Sequence, residues 1–205
     1  MAKKQFLCLK IEIKLTITPI FIFELIAVIT GLIYPFLAGK NKISCWLFAL
    51  ISAVIYIFIN ISVHYYFLAI QQFMYAVMAI YGWITWRRPK METNYHFYGL
   101  KNIPVISLGV ALSVGLVYLT GFQANQQMAY FDAFSLVFGL LGSYMIAQKV
   151  MESWLYLTVV NIVGIYMYFE ISMYLTLILY VSLTFLAINA FKDWVYQYKL
   201  LKSDK

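Results

Sequence analysis

The stretch Phe23-Glu24-Leu25-Ile26-Ala27-Val28-Ile29-Thr30-Gly31-Leu32 returns 108 residues later, without a gap, as Phe131-Asp132-Ala133-Phe134-Ser135-Leu136-Val137-Phe138-Gly139-Leu140. Phe23 falls on Phe131, Glu24 on Asp132, Gly31 on Gly139 and Leu32 on Leu140. The same shift carries Trp46 onto Trp154, Leu47 onto Leu155, Tyr66 onto Tyr174 and Trp86 onto Trp194. It also carries Ile57 onto Ile165, Ile70 onto Ile178, Ala79 onto Ala187 and Ile80 onto Ile188. Apolar composition alone produces chance matches. It does not hold one register through three hydrophobic segments, nor align tryptophans, of which there are only 5. Internal repeats of membrane segments are a common build for transporters, with substrate held between the repeats near the midplane. The repeat therefore bears on function as well as fold.

Composition settles the solvent. Of 205 residues, 64% are apolar and 11% charged, against about 25% charged in a soluble domain. The chain reads as an integral membrane protein, with residues 1–205 forming one transmembrane domain. Its 18 Tyr, 16 Phe and 5 Trp suit membrane interfaces, where an apolar ring with a polar handle sits well. They also suit a pocket for a flat heterocycle. The net charge of +7 reads as topological rather than as a nucleic-acid signal. Cys8 and Cys45 offer no disulfide framework and read as unpaired thiols. No cleavable signal peptide is evident, so the first hydrophobic segment reads as retained.

A membrane-crossing helix needs about 20 residues. Seven segments qualify, at 17–37, 43–63, 65–86, 103–122, 131–148, 153–169 and 173–191. The shift maps segments one to three onto five to seven and leaves segment four without a counterpart. The expected fold is all-α: a first three-helix repeat over 17–86, a linking helix at 103–122 and a second repeat over 131–194, after an N-terminal segment 1–16. The single extra helix restores direction, so the repeat is parallel. Loops on one side hold Lys40, Lys42, Arg87, Arg88, Lys90, Lys101, Lys149, Lys192, Lys199, Lys202 and Lys205, and those on the other side hold no Lys or Arg. The positive-inside rule makes the first side, with the C-terminus, cytoplasmic. Lys3, Lys4, Lys10 and Lys14 at the N-terminus run against this pattern and fit a short interfacial helix or a re-entrant element.

Ionisable groups within a membrane default to a functional reading. Glu24 and Asp132 stand at equivalent repeat positions, either tying helices near the interface or gating a path. Glu152 and Glu170 read as solvated helix ends, and His64 as an interfacial turn residue with no metal-ligand spacing around it. The polar uncharged residues are more telling. Asn161 shares one helix face with Thr158 and Trp154, so an amide and an indole look the same way. Gln72, Tyr75 and Ala79 share another face. Asn60 is a further candidate, and Asn189 a weaker one; helix–helix bonding by such amides is the competing reading. No phosphate-binding G-x-x-x-x-G-K-[ST] loop, paired-carboxylate motif or H-E-x-x-H occurs. An ATP-driven pump, a resident metal or other cofactor, and an enzyme built from the dispersed Glu24, Asp132 and His64 are all disfavoured.

The run Tyr81-Gly82-Trp83-Ile84-Thr85-Trp86 followed by Arg87-Arg88 resembles the Y-G-W-x-x-W signature of the PnuC family of bacterial vitamin transporters. Glu24 through Gly31-Leu32-Ile33-Tyr34, Asn41 with Trp46, Phe131-Asp132-Ala133 and Glu152-Ser153-Trp154 resemble it too. So does the closing Ala190-Phe191-Lys192-Asp193-Trp194, with Ala190 where the family has Gly. The resemblance implies a 3+1+3 fold related to the SWEET sugar carriers and a homotrimer in the bacterial inner membrane. It further implies facilitated diffusion of an unphosphorylated vitamin that a separate cytoplasmic kinase then traps. In nicotinamide riboside transporters of the family, segment six resembles W-x-x-W. This chain keeps Trp154 but has Leu157 at the second position. That departure ranks thiamine first, as in the PnuT branch, nicotinamide riboside second, and another nucleoside-like or flavin vitamin third, with a sugar carrier as rival. Trp154 is expected to stack on the ligand ring, Asn161, Gln72 and Asn60 to hydrogen-bond with it, and Tyr75 and Thr158 to shape the wall.

Overall fold

The computed structural model describes residues 19–62, 64, 66–88, 95–120, 126–170 and 174–203. Seven α-helices account for nearly all of them: α1 Pro19–Gly39, α2 Cys45–Ser62, α3 Tyr66–Trp86, α4 Asn102–Thr120, α5 Gln126–Ala147, α6 Ser153–Glu170 and α7 Tyr174–Ser203. Six are long and apolar enough to cross a membrane. The seventh, α6, falls short of that apolarity because it carries Asn161, Thr158 and three tyrosines. Each expected segment corresponds to one helix. The largest difference is α7, which continues to Ser203 rather than ending at 191. Lys192, Asp193, Lys199 and Lys202 close the apolar run but leave helix propensity intact. The segment 1–16, with its lysines and Cys8, lies outside the described residues.

The helices meet in a ring. α1 packs on α2, α2 on α3, α3 on α5, α5 on α6, α6 on α7, and α7 back on α1; among the described residues α4 packs along α5 and the short 3-10 turn Gly99–Lys101 that leads into it, and its first residue, Asn102, accepts from the Tyr156 hydroxyl of α6 at 3.1 Å. The ring of six helices is unchanged by the 108-residue shift, while the packing of α4 on α5 has no counterpart on α1. The turns agree at atomic detail. Asn41 N donates to Ala38 O (3.0 Å) and Lys42 N to Leu37 O (3.0 Å); Lys149 N donates to Ile146 O (2.9 Å) and Val150 N to Met145 O (2.9 Å). Both are helix C-caps closed through a left-handed residue, at Asn41 (φ 58°) and Lys149 (φ 59°). Asn tolerates that conformation by virtue of its short polar side chain. Lys149 is held there by its side chain, which is 2% exposed and donates to the Asn41 amide oxygen. Its ammonium also lies 4.3 Å from the Trp86 ring centre and 5.2 Å from that of Tyr95.

The buried core gathers at this turn-bearing end, around Trp46, Trp86, Trp154 and Trp194. Two edge-on contacts repeat: Trp46 on Trp86 at 5.5 Å and 86°, Trp154 on Trp194 at 5.4 Å and 87°. Two cross-bundle hydrogen bonds repeat as well. Trp194 Nε1 donates to Ala38 O at 3.0 Å, and Trp86 Nε1 to Ala147 O at 3.2 Å and Ile146 O at 3.3 Å. These carbonyls belong to the last turns of α1 and α5, where the regular i to i−4 ladder has run out, and Ala38 O and Ile146 O accept from the C-cap donors Asn41 N and Lys149 N as well as from the indole N–H. Each bundle thus caps the other.

The connection from α3 to α4 is strapped across the same end. Tyr95 packs edge-on against Trp194 at 5.3 Å, and burial pushes its phenol up to about 12, so this cover stays neutral at any physiological pH. His96 pairs with the α5–α6 turn through Lys149 O and Met151 N. Glu152 is not a solvated helix end. Its Oε1 accepts from Tyr98 N (2.9 Å), Gly99 N (2.9 Å) and Asn102 Nδ2 (3.1 Å). Gly99 takes φ 55° at that bend, where a side chain would be strained. Glu152→Ala removes three hydrogen bonds to a carboxylate and is expected to lower stability by about 1–3 kcal/mol. Thermal unfolding in detergent would read this, and an unchanged midpoint would show the strap to be dispensable.

Candidate functional site

A cavity of about 300 Å³ lies inside the ring, lined from α1, α2, α3, α5, α6 and α7, against the tryptophan core. That is at the small end of the range for small-molecule sites, about 300–1,000 Å³. Its walls obey the repeat. Gly31 and Gly139, Trp46 and Trp154, Ala79 and Ala187 are equivalent pairs of identical residues on the lining. Other equivalent lining pairs differ: Ala49 with Leu157, Ser52 with Val160, Ala53 with Asn161, Gln72 with Tyr180 and Tyr75 with Leu183. A symmetric shell thus encloses asymmetric chemistry, as a ligand with unlike ends requires.

Of the residues singled out from sequence, Trp154, Asn161, Gln72 and Tyr75 line this cavity together. Thr158 does not. Its hydroxyl donates to the Trp154 carbonyl at 2.8 Å, back along its own helix. Asn60 is buried near the far end of α2 but is not on the lining. Glu24 and Asp132 are exposed and outside it, which leaves no carboxylate among the lining residues. Among the described residues no group of His, Cys, Asp or Glu could hold a metal ion.

Four aromatic lining residues had not been singled out as contacts: Tyr34, Trp46, Tyr56 and Tyr180. The repeat held the signal for two of them. Shifting Trp154 back by 108 gives Trp46, and shifting Gln72 forward gives Tyr180. Tyr34 packs against Trp46 with ring centres 5.5 Å apart. Leu157 fills a place that an aromatic could not share easily. Its Cδ2 would lie 2.8 Å from a Cβ built on Gly142, so the leucine already rests on bare α5 backbone. Trp46 is fixed the same way, its ring lying flat on the Gly82 backbone with no room for a methyl.

A ring of helices of membrane-spanning length, closed at one end by indoles around a ligand-sized cavity, is the build of a membrane transporter of small molecules. Comparison with known families agrees. The pattern of the nicotinamide mononucleotide transporter family matches residues 21–196, and the chain belongs to that family. Among curated proteins it is similar to the nicotinamide riboside transporter PnuC of Escherichia coli (strain K12) and to its namesake in Shigella flexneri, each 21% identical with 84% of both chains covered. A crystal structure of the vitamin B3 transporter PnuC shares the fold, with a TM-score of 0.70 at 19% identity, covering 92% of this chain and 86% of that one.

Proposed function

We propose that this chain is a uniporter for nicotinamide riboside, moving it by facilitated diffusion into the bacterial cytoplasm. The observation that carries the reading is the cavity on the repeat axis, walled by Trp46 and Trp154 and offering the amides of Asn161 and Gln72. Two relatives are named for nicotinamide riboside, which reverses the order that placed thiamine first. That order rested on Leu157 leaving the site one indole short, yet a second indole lines the cavity from α2. Stacking of a pyridinium on such faces contributes about 0.5–2 kcal/mol per contact. The remaining site residues keep their assigned roles, except that Thr158 and Asn60 act through helix packing.

Alternating access would come from one three-helix group rocking against the other around the cavity. The described basic residues Lys40, Lys42, Arg87, Arg88, Lys101, Lys192, Lys199 and Lys202 stand at the indole-closed end, so that end, with the C-terminus, is assigned to the cytoplasm. The cavity as it stands is therefore sealed inward. Homotrimeric assembly and trapping of the vitamin by a cytoplasmic kinase belong to the same reading.

With no carboxylate on the lining to carry a proton, transport is expected to follow the substrate gradient alone. In liposomes the vitamin should equilibrate and go no further when a proton or sodium gradient is added. Accumulation above the outside concentration would show a coupling site. Calorimetry with purified protein should rank nicotinamide riboside above thiamine and riboflavin; a tighter thiamine complex would overturn the choice of vitamin and leave the transporter standing.

A further inference from the structure

Four indoles meet at the closed end, and their N–H groups divide into two kinds. Trp86 and Trp194 donate to helix carbonyls of the opposite bundle. Trp46 and Trp154 are 2% and 0% exposed, and neither indole nitrogen has a hydrogen-bond partner. The tryptophans with satisfied donors do not line the cavity; the two with orphaned donors do. Tyr34, on the same lining beside Trp46, also has a buried hydroxyl without a partner. Buried donors are almost always paired, because each one left alone costs about 1–3 kcal/mol. Thr85 Oγ1, Ser135 Oγ, Glu152 Oε2 and Ser153 Oγ are also buried without a partner, away from the lining; what sets the three cavity donors apart is that they line one space, two of them related by the repeat, where a ligand can supply the missing acceptors.

We propose that Trp46 and Tyr34 form a substrate-binding and specificity-determining corner on the first repeat, facing Trp154 on the second, with the indole N–H of Trp46 donating to an acceptor atom of the ligand. The ligand class is a flat heteroaromatic bearing at least two separated acceptors, such as a carboxamide oxygen and a sugar hydroxyl. This corner replaces on α1 and α2 the wall that Leu157 does not supply on α6. Gly82 holds the Trp46 ring in place, since any Cβ there would run into it. The inference rests on the uniporter reading above, because it needs a small polar aromatic as the occupant.

The test separates the ring from its donor. Trp46→Phe keeps an aromatic face and removes the N–H. Calorimetric titration with nicotinamide riboside is expected to show about tenfold weaker binding, equivalent to about 1.4 kcal/mol. The ligand-free melting temperature should not fall for want of that hydrogen bond, because none is lost. Binding as tight as wild type overturns the assignment of Trp46. Failure of the wild type to bind nicotinamide riboside, thiamine or riboflavin overturns the uniporter reading and this inference together. Because Trp46→Phe also changes core volume, indole 15N–1H resonances of the wild type supply a second readout. Those of Trp46 and Trp154 should move on adding the vitamin while those of Trp86 and Trp194 hold still. A Trp46 resonance that ignores saturating ligand overturns the proposal.

Discussion

Gly82→Ala is expected to weaken vitamin binding at least tenfold and to destabilise the protein by about 1–3 kcal/mol, the usual cost of overpacking a filled core. The substitution is a single methyl on a helix, where alanine is normally the better residue by about 1 kcal/mol. Packing decides against it. The added carbon would meet the fused ring of Trp46 at contact distances no folded core tolerates. The indole cannot retreat toward Trp86, whose ring already stands edge-on to it at 5.5 Å. Nor can it turn toward Tyr34 without closing another 5.5 Å contact. Free space borders the ring on two sides, the ligand cavity and a smaller cleft between α2 and α3 lined by Leu47, Leu50, Ile80 and Trp83; relief toward the cavity removes ligand volume at the same time. The two effects are read separately, by melting temperature without ligand and by calorimetry with it. A variant that melts higher and binds normally would mean the ring has slack, and the close approach at Gly82 would not be what fixes it.

Most of the fold was legible because hydropathy and the repeat are one-dimensional signals. A register held from Phe23 to Trp86 and again from Phe131 to Trp194 needs no tertiary information, and the C-terminal ends of six helices fall within about two residues of the ends of the apolar runs, although α5 begins at Gln126 rather than 131. The seventh was missed at its C-terminus because an apolar run measures membrane depth, not helix length: from Lys192 onward α7 continues as a charged helix. The site was legible by helix face and lost wherever a side chain had a second use. Thr158 shares a face with Trp154 and Asn161, yet its hydroxyl is committed to the carbonyl four residues back. Glu152 sits at a helix end, yet two backbone donors from the α3–α4 connection and the Asn102 amide that opens α4 converge on it. Leu157 misled most. A missing indole on α6 says nothing of a wall built from α2 across the cavity, and that wall follows only when the repeat is applied to the site residues themselves.

Replacing both Trp86 and Trp194 by phenylalanine is expected to open the indole-closed end. Each indole N–H satisfies last-turn carbonyls of the opposite bundle, Ala147 and Ile146 in one case and Ala38 in the other. Losing one removes a hydrogen bond worth about 0.5–1.5 kcal/mol, while Ala38 O and Ile146 O keep their bonds from Asn41 N and Lys149 N. The pair would lose about 1–3 kcal/mol if additive, and less in practice, because ring centres 6.2 Å apart make the two sites coupled. Not all of that falls on global stability. The bonds run between bundles rather than within them, so a state in which the bundles part at this end no longer gives them up. Its population rises relative to the closed state, tenfold for each 1.4 kcal/mol. Cys45 reports on it directly: the thiol is free and fully buried beside Trp46. In a Cys8→Ala background, maleimide labelling of Cys45 should accelerate at least tenfold in the double variant and by an intermediate amount in each single one. Lys149, whose ammonium is held by Asn41 and the faces of Trp86 and Tyr95, offers a check from another chemistry. Lys149→Met removes its charge and its hydrogen bond while keeping most of its length, and should speed labelling in the same direction. Unchanged labelling in a double variant that has clearly lost thermal stability would mean that the indoles hold the fold together without latching its end.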